Sequence, residues 1–178
     1  MIDAHCYQAP DGAHYLLWKR DGNAVGQRTP IFIQRIAADG VTRMGSPTEI
    51  LSNDRTWEGD LVEGPWMIDH GGTYYLFYSA NGYASTRYAV GVARASSPLG
   101  PFTKAPAPIL TSNAFWAGPG HGSVIEGPSG ALVHVYHAWV AGRVGTSPGR
   151  EVLVDRITFA DGWPRMLSAP SARSQPLP

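Results

Sequence analysis

One cysteine, Cys6, stands in the whole chain, so no disulfide can form within it. Charge is scarce as well. Charged residues are 16% of the 178, where an average globular chain has roughly a quarter. Lys+Arg and Asp+Glu number 14 each, so the net charge is zero. That excludes a basic field of the kind that gathers nucleic acid. It also excludes the charge-rich, aromatic-poor composition of a disordered chain. No apolar run reaches the ~18 residues of a membrane-spanning helix, so no membrane partner is expected. Met1-Ile2-Asp3-Ala4-His5 lacks the positive start and apolar stretch of a secretory leader. The readings left for compartment are cytoplasmic, or secreted in a form trimmed at its N-terminus.

What the chain does have is turns and rings. It holds 21 Gly, 15 Pro, 6 Trp, 8 Tyr and 5 Phe. The Gly and Pro are spread between short apolar segments, which favours an all-β fold. Three of those segments repeat. Asp11-Gly12 leads into His14-Tyr15-Leu16-Leu17-Trp18. Gly71-Gly72 leads into Tyr74-Tyr75-Leu76-Phe77-Tyr78. Ser129-Gly130 leads into Leu132-Val133-His134-Val135-Tyr136. The turn glycines are 60 and 58 residues apart. A second strand follows each, with Arg35, Arg94 and Arg156 at matching places. Short apolar strands at Glu49-Ile50-Leu51 and Pro108-Ile109-Leu110 come next, and Asp54 to Asp60 suits a turn or a short helix. Each repeat therefore reads as one antiparallel four-stranded sheet, the content of a β-propeller blade. About three blades are expected over residues 1–168, near 1–55, 56–113 and 114–168. Residues 169–178, rich in Ser, Pro and Ala, are expected to form an extended strap. The alternative is an ordinary β-sandwich.

The innermost strands of a propeller line its channel, and their starts share a rim. Those starts fall near Asp3, Glu63 and His121, at spacings of 60 and 58. Two carboxyl groups meeting at a channel mouth suit glycoside hydrolysis, where one protonates the leaving oxygen and another activates water or attacks carbon. Ordinary turn or solvated roles for the same residues stay open at this point.

Val62-Glu63-Gly64-Pro65-Trp66-Met67, with the strand Gly72 to Ser79 after it, resembles the acid-bearing blade of glycoside hydrolase family 43. Tyr88 to Ala93, Ser97 to Phe102, Gly118 to Val124, Tyr136 to Trp139 and Asp161 to Pro164 continue the likeness. It implies a five-bladed propeller that inverts the anomeric centre of arabinosides and xylosides in plant cell-wall polysaccharides. By the same likeness Glu63 corresponds to the general acid. Asp3 corresponds to the carboxylate that tunes the acid and orients the sugar. His121 corresponds to a central histidine that supports calcium or another cation in some members. Imidazole is a poor calcium ligand, so a structural role for His121 stands beside the metal one. Arg150 corresponds to a sugar-reaching arginine, with His137 beside it as a further substrate contact. Trp66, Trp116 and Trp139 are candidate sugar walls, with packing as the other reading. Trp18 and Trp163 are expected in the core.

The family's general base, an aspartate at the start of the first blade, has no match here. The chain fits the third to fifth blades. Association through open blade edges, as a homo-oligomer or with a chain bearing the missing blades, is therefore expected. A binding-only propeller remnant and an incomplete piece of a longer glycosidase are the alternative readings. A protein-interaction propeller is disfavoured by the converging acids.

Overall fold

The computed structural model describes residues 1–166. They form three antiparallel four-stranded sheets, each with its strands in sequence order. The first blade holds β1 (Ile2–Gln8), β2 (His14–Lys19), β3 (Ile31–Ile36) and β4 (Arg43–Leu51). The second holds β5 (Val62–His70), β6 (Thr73–Ala80), β7 (Ala89–Ala95) and β8 (Thr103–Lys104). The third holds β9 (Trp116–Glu126), β10 (Leu132–Val140), β11 (Arg150–Ala160) and β12 (Trp163–Met166). This is the expected all-β propeller-blade architecture. The strap expected over 169–178 lies outside the described residues.

Local chemistry explains the repeat. Gly12, Gly72 and Gly130 adopt φ of 80°, 76° and 78° between the first and second strands of their blades. Such left-handed turns are open to Gly at no steric cost. The ladders set Arg35 opposite Tyr15, Arg94 opposite Tyr75 and Arg156 opposite Val133. Those arginines therefore occupy equivalent places, as their spacing suggests.

One local expectation needs correction. Pro108-Ile109-Leu110 is not the fourth strand of its blade. That edge is the two-residue β8, and Leu110 makes only an isolated bridge to Val90. Pro106 and Pro108 lack N–H donors and cannot continue a ladder. The fourth strand of the third blade is β12, which tolerates Pro164 because it is an edge strand. Thr56–Glu58 is a single 3-10 turn, within the span where a turn or short helix is expected.

The core is two seams rather than one centre. Tyr7, Leu17, Ile31 and Ile33 of the first blade pack on Met67, Leu76 and Tyr78 of the second. Tyr75, Phe77, Val90 and Val92 of the second pack on Val124, Tyr136 and Leu153 of the third. Successive side chains of a strand point to opposite faces, so β6 feeds both seams and is buried from Tyr75 to Ala80. That accounts for its unbroken apolar run.

A buried ionic knot pins the loop after the first blade to the second. The Glu58 carboxylate, fully buried, accepts bonds from Lys104 Nζ (2.7 and 2.8 Å), the Tyr78 hydroxyl (2.6 Å) and the backbone N–H of Asp54 and Arg55 (2.8 and 3.0 Å). With every lone-pair direction engaged, the desolvation cost of the charges is offset.

Packing at this knot requires a glycine. A Cβ on Gly91 would sit 2.5 Å from Tyr78 Cζ and 2.9 Å from Trp57 Cη2. Gly91→Ala is expected to lower stability by about 1–3 kcal/mol through overpacking. Denaturant unfolding checks this, as a lowered midpoint at unchanged slope.

Candidate active site

A left-handed residue interrupts each inner strand. Asp3 (φ 58°) does so in β1, Gly64 (φ 57°) in β5 and His121 (φ 50°) in β9. The pairing register slips at these points, between Ile2 and His5, between Glu63 and Trp66, and on β9 between the residues facing Val135 and His137. A bulge of this kind bends the strand and re-aims its side chains. Residues 3–5, 64–66 and 121–123 then surround a hollow of about 110 Å³ on the channel side.

The equivalence of the three starts is thereby shifted by one residue. Asp3 and His121 match Gly64, not Glu63, and Glu63 matches Ile2 and Gly120. The bulged trio is tied together. Gly64 N–H donates to Asp3 Oδ2 (3.0 Å), and His121 Nε2 lies 3.9 Å from Asp3 Oδ1. A Cβ on Gly64 would meet His121 Cγ at 3.3 Å, so glycine there lets the imidazole lie against the strand. His121 N–H donates to Ser79 Oγ (2.8 Å).

Glu63 turns its carboxyl group to two donors. Its Oε1 accepts from the Tyr88 hydroxyl (2.6 Å), and its Oε2 accepts from Lys19 Nζ (3.1 Å). Tyr88 is fully buried. Its burial, and then the Glu63 carboxylate beside it, push the phenol well above its usual range, so it stays a donor. Lys19 is also buried, and Asp21 Oδ1 lies 3.4 Å from its ammonium on the other side.

The remaining expected residues cluster one layer out. Arg150 Nη1 lies 3.0 Å from His137 Nε2, and its guanidinium covers Tyr83 at 4.9 Å and Trp139 at 5.9 Å. Guanidinium only donates, so Nε2 is the acceptor and the imidazole proton sits on Nδ1. The His137 ring stacks on Tyr88 at 5.8 Å.

The tryptophans are used for packing. Trp66 donates its N–H to the Val124 carbonyl (2.9 Å) and stacks on His5 at 4.0 Å, bridging all three blades. Trp139 is 7% exposed and donates to the Tyr83 carbonyl (2.8 Å). Trp116 packs against the second seam. Trp139 is thus covered rather than a free sugar wall, and the exposed ring beside Arg150 is Tyr83, 52% exposed. Trp18 is buried and Trp163 packs on the second seam, as expected.

The family model for glycosyl hydrolases family 43 matches residues 1–164. The chain belongs to glycosyl hydrolases family 43. It is 34% identical over 137 residues to the beta-D-galactofuranosidase xynD of Aspergillus niger, with 76% of this chain and 36% of that protein covered. It is 31% identical over 170 residues to the extracellular exo-alpha-(1->5)-L-arabinofuranosidase of Streptomyces avermitilis, covering 86% and 35%. The crystal structure of a thermostable family-43 glycoside hydrolase superposes with a TM-score of 0.87 at 36% identity, covering 99% of this chain and 60% of that one. An endo-1,4-beta-xylanase from Bacteroides thetaiotaomicron gives a TM-score of 0.83 at 27% identity, covering 95% and 59%. The chain therefore spans about a third of these curated relatives and about three-fifths of these solved structures.

Motif reading assigns no site role to Lys19, Ser79, Tyr88 or Tyr83. A signal for the first two exists in the spacing. Lys19, Ser79 and His137 are 60 and 58 residues apart, the period of the turn glycines. The ladders set them opposite Ile2, Glu63 and Gly120. A cation at His121 is a different matter. Among the described residues, no group of three or more His, Cys, Asp or Glu side chains is placed to hold a metal ion. Calcium takes 6–8 oxygen ligands, and Asp3, with one oxygen already taken by Gly64, does not build that shell. The side chains present do not fit a directly caged calcium.

Two buried imidazoles and a half-buried one make the blades acid-sensitive. Burial lowers His5 to about 4 and His134 to about 3, and burial with the Arg150 charge lowers His137 to about 4. These rings stay neutral in the fold but take protons near pH 6.5 once unfolded. The unfolded state thus binds more protons below that point, and stability falls as pH drops from 6.5 towards 4. Thermal unfolding across that window checks the decline, and His134→Phe is expected to make it shallower.

Proposed function

We propose that this chain supplies the proton-donating part of an inverting glycosidase that acts on arabinosides, and secondarily xylosides, of plant cell-wall polysaccharides. One observation carries the reading. A single glutamate, Glu63, opens the inner strand of the middle blade with its side chain 13% exposed, and Asp3 is fastened to the next residue. The first two relatives named above are both furanosidases, which supports a five-membered sugar ring at this site.

In this reading Glu63 gives its proton to the glycosidic oxygen as the bond to the anomeric carbon breaks. The carboxylate left behind receives both of its donors, Tyr88 and Lys19. Their placement stabilises charge that develops during the step, where preorganised donors act most strongly. Asp3, anchored by Gly64 N–H, faces the sugar from the neighbouring blade. Arg150, clamped between His137 and Tyr83, binds sugar hydroxyls.

Inversion also needs a carboxylate that activates water on the opposite face. Asp54 is engaged with Lys104 and Asp69 with Tyr7, so neither serves. That base is placed outside these 178 residues, on further blades of the same polypeptide or on a partner chain. A sugar-binding role without turnover is the second reading, favoured by this same shortage of carboxylates. A binding isotherm with no product formed selects it.

The acid assignment is tested with aryl pentosides of graded leaving-group strength. Glu63→Gln is expected to cut turnover by about 10²–10⁴-fold for poor leaving groups and to spare dinitrophenyl ones, which depart without a proton. Full activity of the variant on an arabino-oligosaccharide removes the assignment. Light scattering is expected to give a mass above the 19.2 kDa of one chain in active samples.

A further inference from the structure

We propose that Lys19 is a positioning residue for Glu63: its buried ammonium, contributed by the neighbouring blade, fixes the carboxyl group at the channel and balances the charge left when a proton is given up. The inference rests on Glu63 being the acid.

Three observations support it. The first is cost. Lys19 is 1% exposed, and burying an ammonium is strongly unfavourable unless it is paired. Its partners are Glu63 Oε2 at 3.1 Å and Asp21 Oδ1 at 3.4 Å. The second is the repeat. Ser79, at the equivalent place in the next blade, also reaches the following inner strand, where its Oγ accepts the His121 N–H. A hydroxyl suffices for that seam, so the fold itself does not demand a cation at this position. The third is hydrogen-bond accounting. Lys19 only donates and Tyr88 is held protonated, so both Glu63 oxygens face donors. Both contacts suit the carboxylate that remains after proton transfer.

The charges facing Glu63 are few. Lys19, with Asp21 behind it, approaches from the end of β2 and Tyr88 from the segment before β7, while Asp3 of β1 bonds the next residue, Gly64, and His121 of β9 lies against Asp3. Asp21 competes with Glu63 for the same ammonium. Removing Lys19 and removing Asp21 therefore have opposite electrostatic effects on Glu63.

The experiment follows the Glu63 carboxyl resonance against pH in the full chain labelled with ¹³C at the glutamate carboxyl carbon. The signal is assigned by its loss in Glu63→Gln. In Lys19→Met the midpoint is expected to rise by about one unit or more, since an opposite charge within 4–6 Å favours the ionised form. Lys19→Arg, which keeps the charge, stays near wild type. Asp21→Asn moves the midpoint down. An unchanged midpoint in Lys19→Met, with native near-ultraviolet circular dichroism, overturns the proposal. If Lys19→Met does not fold, Asp21→Asn decides: a downward shift supports the proposal and no shift overturns it. The two readings fail separately. Lys19-dependent titration of a Glu63 that proves dispensable for turnover refutes the acid role and leaves the coupling in place.

Discussion

The left-handed bulge within each inner strand sets the geometry where the three blades meet. Backbone in this region is strained for residues with a side chain, Asp and Asn being among the more tolerant. Asp3 and His121 hold it because each is bonded there, one by Gly64 N–H and the other through its own N–H to Ser79. Gly64 holds it without strain and leaves room for the imidazole. Without the slip, alternation along β5 would continue unbroken, and the side chains around Glu63 would point to the other faces. The same small device in β1, β5 and β9 gathers a glutamate, a second carboxylate and an imidazole from strands that lie in three different sheets.

Charge is spent sparingly around that device. In a chain with so few ionisable groups, two buried lysines both sit between blades, and both are paired with carboxylates. Their settings differ. Lys104 meets a Glu58 whose oxygens are fully bonded and closed to solvent, which suits a fixed joint. Lys19 meets a Glu63 that keeps a side open to solvent. Similar ion pairs thus form a closed joint in one place and a solvent-reached one in the other.

Much of this was legible in the residues. The 60- and 58-residue spacing of Gly12, Gly72 and Gly130 located the blades, because a left-handed turn is a local demand that only a few residues meet. The equivalence of Arg35, Arg94 and Arg156 followed from the same period. Glu63 and Asp3 were visible through their motifs. The one-residue offset between Glu63 and the Asp3 position was not, since a bulge is a feature of pairing and leaves no mark in spacing. Trp139 also misled, because an indole looks the same in sequence whether it faces a sugar or a neighbouring carbonyl. Lys19 was passed over although it lies one residue beyond the repeated strand ending in Trp18. A lysine at a strand end reads as solvated until the neighbouring blade is placed on it.

The contacts across the seams have a consequence for how such proteins can be divided and recombined. The second strand of each blade reaches the inner strand of the blade that follows: Lys19 to Glu63, and Ser79 to His121. The hydrogen-bonded unit is a sheet, but this ion pair straddles two of them. A blade exchanged between homologues at its connecting loops would arrive with Glu63 and leave behind the Lys19 that pairs with it. Recombination that respects function has to cut within a sheet, between its first and second strands.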